Sequence, residues 1–232
     1  MEKKIEILAY HGWGFDASFW DAWKELLPTD IVFKTANRGY FDKAFHPRFE
    51  ADTKFRVVFL HSFGLHWCNS GILSKADVMV IFNGFGDFLP DAENLKTVAE
   101  RGLEGMIDQF PKKPQQVLDR FYGSAFAPNS TGRVPSGSPN KVPLYEDLQA
   151  LRSTRFPMID LDFGSTMIAL DGDRDKVLLQ PRGADIIAPH YWTKHSKVFE
   201  GVGHALPITK TQDCWSYLCS LIPIFERYEN NR

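Results

Sequence analysis

Arg56-Val57-Val58-Phe59-Leu60-His61-Ser62-Phe63-Gly64 decides how the chain is read. Residues 56–60 carry an almost unbroken apolar run, the pattern of a strand buried on both faces of a parallel sheet. His61-Ser62-Phe63-Gly64 follows at once and opens a helical pattern over residues 65–75. A serine on so tight a strand-to-helix turn is lifted from the sheet edge into a cleft. Its strained backbone needs a small residue two positions on, and Gly64 is there. The pattern is G-x-S-x-G with its first glycine replaced by Leu60, and on its own it also fits a serine that merely caps a helix. Ser130 is the other serine with a glycine two positions later, but no strand precedes it.

Working outward, further buried strands are expected at residues 5–10, 31–35, 78–82, 166–170 and 196–199. Helical periodicity falls between and after them at 16–27, 65–75 and 211–228. Alternating strand and helix implies an α/β fold, a mostly parallel central sheet with helices on both faces. The alternation breaks after the fourth strand. Three helical pieces (91–109, 114–122 and 144–152) surround a Gly-, Pro- and Ser-rich run at 127–139, expected to be a mobile loop. This is expected to be a helical lid, residues 86–157, inserted into a single domain spanning 1–232.

The 232 residues are 44% hydrophobic and 24% charged, with 19 Phe and 6 Trp, enough for a sizeable core. Lys plus Arg is 27 against 29 Asp plus Glu, a net charge of −2 that argues against nucleic acid as the partner. No apolar run approaches the roughly 20 residues of a spanning helix, so no membrane is expected. Met1-Glu2-Lys3-Lys4 runs straight into the first strand without a signal-like segment. Cys68, Cys214 and Cys219 are odd in number and lack metal spacing, as in a reducing, cytoplasmic setting.

Three other strand ends carry polar chemistry. His11-Gly12-Trp13-Gly14 follows the first strand, where glycines free backbone N–H groups to point into a cleft and hold a developing oxyanion. Leu170-Asp171-Gly172-Asp173-Arg174-Asp175 follows the fifth strand. A calcium loop read from Asp171 would need Glu at its twelfth position, where Arg182 stands. Glu200-Gly201-Val202-Gly203-His204 follows the last strand and exposes an imidazole. Each piece is weak alone. Together they fall at the C-terminal ends of different strands, where open α/β sheets place their sites, in the chain order oxyanion turn, Ser, acid, His.

That constellation resembles the α/β-hydrolase superfamily. His11-Gly12-Trp13-Gly14-Phe15-Asp16-Ala17-Ser18-Phe19-Trp20, the lid piece 103–122 with Asp119-Arg120-Phe121, and Gly203-His204-Ala205 resemble the pimeloyl-acyl-carrier-protein methyl ester esterases of biotin synthesis. The chain departs from them at Leu60, and at Asn37-Arg38-Gly39-Tyr40, where relatives often carry Asp-x-x-Gly. The resemblance implies a serine carboxylesterase that needs no cofactor and no metal, with Ser62 as nucleophile and His204 as base. It also implies an oxyanion hole formed by the N–H groups of Trp13 and Phe63. The family's acid follows a glycine by three residues, which selects Asp175, with Asp173 as runner-up.

Between residues 111 and 156, seven lysines and arginines stand against three acids, a surplus of +4. A positive lid suits an acidic partner, and the resemblance implies an acyl carrier protein held by lid arginines, here Arg120, Arg152 and Arg155 as partner-binding residues. Trp13, Phe63, Phe85, Phe88 and Phe126 are candidates to line an acyl channel. Two other readings stand beside this one. The first is a general short-chain carboxylesterase or carbon–carbon bond hydrolase on the same fold. The second, favoured by Leu60, is a binding module without catalysis.

Overall fold

The computed structural model describes residues 4–129, 132–156, 166–186 and 194–228. Ser130 and residue 157, the far boundary of the expected lid, lie outside these. Strands β1 (Ile5–Tyr10), β2 (Ile31–Thr35), β3 (Phe55–His61), β4 (Val78–Phe82), β5 (Thr166–Gly172) and β6 (Lys194–Phe199) form one sheet. Its order is β2-β1-β3-β4-β5-β6, and every pairing is parallel. The chain leaves β1 toward one edge of the sheet and leaves β3 toward the other. The crevice between β1 and β3 is therefore a topological switch point, the place where such sheets hold their ligands. Register aligns the strand ends there: Tyr10 pairs with Leu60, and His61 with Phe82.

The apolar runs become strands because both faces of the sheet are covered. Every residue of β1 and β4 is buried, and each large aliphatic side chain so placed contributes roughly 1.5–3 kcal/mol of burial. Glu6 is the exception inside β1. Its carboxylate accepts from Thr53 Oγ1 at 2.6 Å, the Glu50 N–H at 2.8 Å and Lys34 Nζ at 3.0 Å. Burial raises the Glu6 pKa, but those bonds outweigh it and hold the group below its ordinary value.

The expected helix at 16–27 is a 3-10 turn, Ala17–Trp20, capped by Asp16, followed by α1 (Asp21–Leu26). The expected helix at 65–75 is split into α2 (Gly64–Trp67) and α3 (Ser70–Leu73). Asn69 causes the break: its side chain accepts the Gly71 N–H at 2.8 Å and starts a new helix. Between β4 and β5 come α4 (Glu93–Gln109), α5 (Pro114–Phe126) and α6 (Lys141–Ala150), with α7 (Gly183–Ile186) after β5. After β6 come α8 (Leu206–Thr209), α9 (Thr211–Leu221) and a 3-10 turn, Pro223–Tyr228. Pro223 lacks an N–H and pushes Ile222 into extended backbone, which ends α9 before the expected residue 228.

Helices α4 to α6 form a lid fastened to the loop after β1. Trp13 Nε1 donates to the Leu144 carbonyl of α6 at 2.8 Å, and the Tyr122 hydroxyl of α5 donates to the Gly14 carbonyl at 2.6 Å. The 127–139 run meets the body at Arg133, paired with Asp21 at 2.9 Å.

Candidate active site

Ser62 sits directly after β3 with φ at +53°, the left-handed region that costs a residue with a side chain. Gly64 makes the turn possible, because a Cβ there would lie 2.5 Å from the Tyr10 carbonyl oxygen. Leu60 does not prevent the turn. It is fully buried in β3, and Ser62 takes the strained conformation beyond it.

His204 Nε2 lies 2.9 Å from Ser62 Oγ, and His204 Nδ1 lies 2.7 Å from Asp175 Oδ2. A carboxylate only accepts, so Nδ1 carries the hydrogen and donates to Asp175, and the serine hydroxyl donates to Nε2. All three residues are buried, yet Ser62 also borders a cavity. Asp175 is fully occupied. Oδ2 also accepts from Asn83 Nδ2 at 2.9 Å, while Oδ1 accepts the N–H groups of Val177 at 2.7 Å and Leu178 at 2.9 Å. Burial raises its pKa, but the His204 imidazole and these bonds prevail and hold it below the ordinary carboxylate value. In this arrangement a hydroxyl can lose its proton to the imidazole as it attacks an electrophilic carbon.

The other two acids of the loop face elsewhere. Asp173 Oδ1 accepts the Val202 N–H at 3.3 Å, and Asp171 Oδ2 accepts the Gly183 N–H at 2.9 Å. The structure therefore brings Asp175, and not the runner-up Asp173, to His204.

The turn after β1 passes directly against Ser62. A Cβ on Gly12 would lie 2.9 Å from His61 Nδ1 and 3.0 Å from the Ser62 Cβ, so only glycine fits. Trp13 and Phe63 both border the cavity beside Ser62. Among the described residues, neither of their backbone N–H groups donates to another protein group. Unspent N–H groups on residues that share a cavity with a serine are candidates to hold an oxyanion.

Several supporting residues escaped the sequence reading. Asn83 follows β4 in left-handed backbone, φ +45°, and orients Asp175. Its position at a strand end beside Gly84 was the available signal. His61 donates from Nε2 to the His204 carbonyl at 3.0 Å and stacks on Phe19 at 4.3 Å between ring centres. His66 donates to the Phe85 carbonyl at 2.9 Å and lies between Phe63 and Phe85. Burial pushes the pKa of His61 well below its ordinary value and that of His66 down to about 4.

The cavity over Ser62 has a volume of about 450 Å³ and lies between the sheet edge and α4, α5 and α6. Trp13, Phe63, Phe85 and Phe88 line it. Phe126 does not, because it packs on Phe15 inside the core. Arg101, Arg120 and Lys176 border the cavity, and none of its described lining residues is acidic. A larger groove of about 880 Å³, between residues 46–51 and α3, includes none of Ser62, Asp175 and His204.

The three expected partner-binding arginines separate. Arg120 borders the cavity and donates to Gln109 Oε1 at 2.8 Å. Arg152 makes a two-pronged pair with Glu104, and Arg155 faces Asp87 at 3.5 Å. The surplus of +4 belongs to the chosen window. Over the whole of residues 86–157, nine lysines and arginines meet nine aspartates and glutamates, so the expected lid is neutral. No helix among the described residues is long and apolar enough to cross a membrane.

No family model matches the chain, and no curated protein matches it. Solved structures do. An esterase from Exiguobacterium antarcticum superposes with a TM-score of 0.67 at 14% identity, covering 96% of this chain and 93% of its own. A bromoperoxidase from Bacillus anthracis gives 0.67 at 17% identity, covering 97% and 92%. An esterase from Thermogutta terrifontis gives 0.64 at 13%, covering 97% and 92%. At such identities the likeness speaks for architecture and not for reaction: the chain has the α/β-hydrolase fold.

Proposed function

We propose that the protein is a serine hydrolase of carboxylic esters. The observation that carries this reading is the unbroken chain of hydrogen bonds Ser62–His204–Asp175, opening onto an apolar cavity lined by two residues with unspent N–H groups. Ser62 Oγ attacks the ester carbonyl while His204 Nε2 takes its proton. The N–H groups of Trp13 and Phe63 receive the oxyanion. His204 then protonates the departing alkoxide, leaving an acyl ester on Ser62. Water, deprotonated by the same imidazole, releases the carboxylic acid and restores the serine. Asp175 stays ionised throughout and stabilises the imidazolium.

The finer reading is a methyl ester on a pimeloyl chain carried by an acidic acyl carrier protein in the cytoplasm. Its support is the resemblance of residues 11–20, together with Arg101, Arg120 and Lys176 at a cavity without lining acids. The buried, unbridged Cys68, Cys214 and Cys219 agree with a reducing compartment. A short-chain carboxylesterase that needs no carrier is the second reading, favoured by the neutral lid and by the pairing of Arg152 and Arg155. Comparing kcat/KM for a carrier-linked pimeloyl methyl ester with free p-nitrophenyl esters of two to eight carbons tests both. A large preference for the carrier-linked ester supports the finer reading. Equal or better turnover of free short esters supports the second, and no turnover of any ester refutes the hydrolase proposal.

A further inference from the structure

The turn after β2, Asn37-Arg38-Gly39-Tyr40, takes no part in the chemistry above, yet it touches both the lid and the turn that carries Trp13. The Asn37 side chain accepts the Gly39 N–H at 3.0 Å and folds the loop back on itself. Arg38 then reaches α6: its Nε donates to Asp147 Oδ2 at 2.7 Å and its Nη2 to Asp147 Oδ1 at 2.8 Å. The buried Tyr40 hydroxyl donates to the same Oδ2 at 2.6 Å. Asp147 is itself buried, and these three bonds occupy both of its oxygens.

The backbone of Arg38 points the other way. Its N–H donates to His11 Nε2 at 3.2 Å, and His11 Nδ1 donates to the Gly12 carbonyl at 2.9 Å. One neutral tautomer satisfies both bonds, and burial keeps the ring neutral by lowering its pKa to about 4. Trp67 Nε1 fixes the His11 carbonyl at 2.9 Å. On the lid side, Leu144 and Asp147 stand three apart on α6, hence on one face of the helix. Leu144 receives the Trp13 indole N–H while Asp147 receives Arg38. The segment 11–13 is therefore tied to α6 twice, once through Trp13 directly and once through Arg38 and His11.

We propose that Arg38 is a positioning residue whose grip on Asp147 makes the seating of α6 and the alignment of the Trp13 N–H a single event. The lid then does more than cover the cavity: when α6 lifts, the oxyanion turn loosens with it. The expected effect on rate rests on the ester-hydrolase reading, whereas the mechanical coupling does not.

The test uses the full chain with Asp147→Asn, Arg38→Lys and Tyr40→Phe, and two readouts. In the first, backbone hydrogen exchange is followed in peptides covering residues 10–15 and 141–151. Asp147→Asn is expected to speed exchange in both together, and Arg38→Lys less so, because a lysine loses the two-pronged contact but keeps one charged bond to Asp147. In the second, a small acetate ester that does not reach α6 should lose at least about tenfold in kcat, because oxyanion donors act on the transition state. Its KM should stay within about twofold. Faster exchange confined to 141–151, or a lowered melting point with kcat unchanged, would mean that the pair only fastens the lid and would overturn the proposal. Should Asp147→Asn fail to fold, Tyr40→Phe removes one bond to Asp147 and should give the same paired pattern, smaller. If the unmodified protein hydrolyses no ester, the hydrolase reading fails, and the exchange comparison alone decides the coupling.

Discussion

Mild acid should loosen this protein, because three histidines are buried neutral around the site. His11 supports the oxyanion turn, His61 holds the His204 carbonyl, and His66 lies between Phe63 and Phe85. Burial lowers the folded pKa of His11 and His66 to about 4, and that of His61 well below normal. In the unfolded chain each ring titrates near 6.5. Below that pH the unfolded state binds more protons than the folded one, so stability falls as pH falls, starting near 6.5 and continuing to the folded pKa. At about pH 5 a ring with its pKa at about 4 loses about 2 kcal/mol relative to about pH 7.5, so His11 and His66 together account for about 4 kcal/mol. His61 adds to the loss in the same direction. That is a large part of the roughly 5–15 kcal/mol by which a domain is folded. Urea unfolding at several pH values across this range measures it directly. His66→Gln should remove about half of the loss assigned to the two rings. Stability constant to within about 1 kcal/mol from about pH 7.5 to about pH 5 would refute the claim that these rings are neutral in the fold.

Two further outcomes follow from the site and its rim. Asp175→Asn should lower kcat for a p-nitrophenyl ester by about 10³-fold or more, while Asp173→Asn costs less than about tenfold, since only Asp175 meets the imidazole. The reverse ranking in steady-state rates would move the acid's role to Asp173. Arg120→Glu should lower kcat/KM for a carrier-linked ester and spare a small free ester, with the loss shrinking as salt rises. Arg152→Glu, facing Glu104, should instead act on the lid through like-charge repulsion and affect both esters alike.

The strands and their ends were legible because a sheet buried on both faces leaves unbroken apolar runs, and its chemistry must then sit where those runs stop. The strand ends point to Ser62, His204 and Trp13 as candidates that way, and the family resemblance, with its acid three residues after a glycine, puts Asp175 ahead of Asp173. Helix limits were read less well. Asn69 and Pro223 stood in plain view, but apolar periodicity runs on through both. Contacts between distant segments left no trace in local pattern: Asn83 reaches Asp175 across 92 positions, and Arg38 reaches Asp147 across 109. The charge surplus depends on where the window is drawn. Arg152 is neutralised by Glu104, 48 positions away and outside the window that gave the surplus.

The central claim is that Ser62 is an activated nucleophile. Incubating the protein with a fluorophosphonate and mapping the adduct by mass spectrometry tests it most directly. One phosphonyl group per chain is expected, on Ser62, with hydrolysis lost in step with labelling and no adduct on a folded Ser62→Ala variant. No adduct on a folded protein, or an adduct on another residue that abolishes activity while Ser62 stays unmodified, would contradict it.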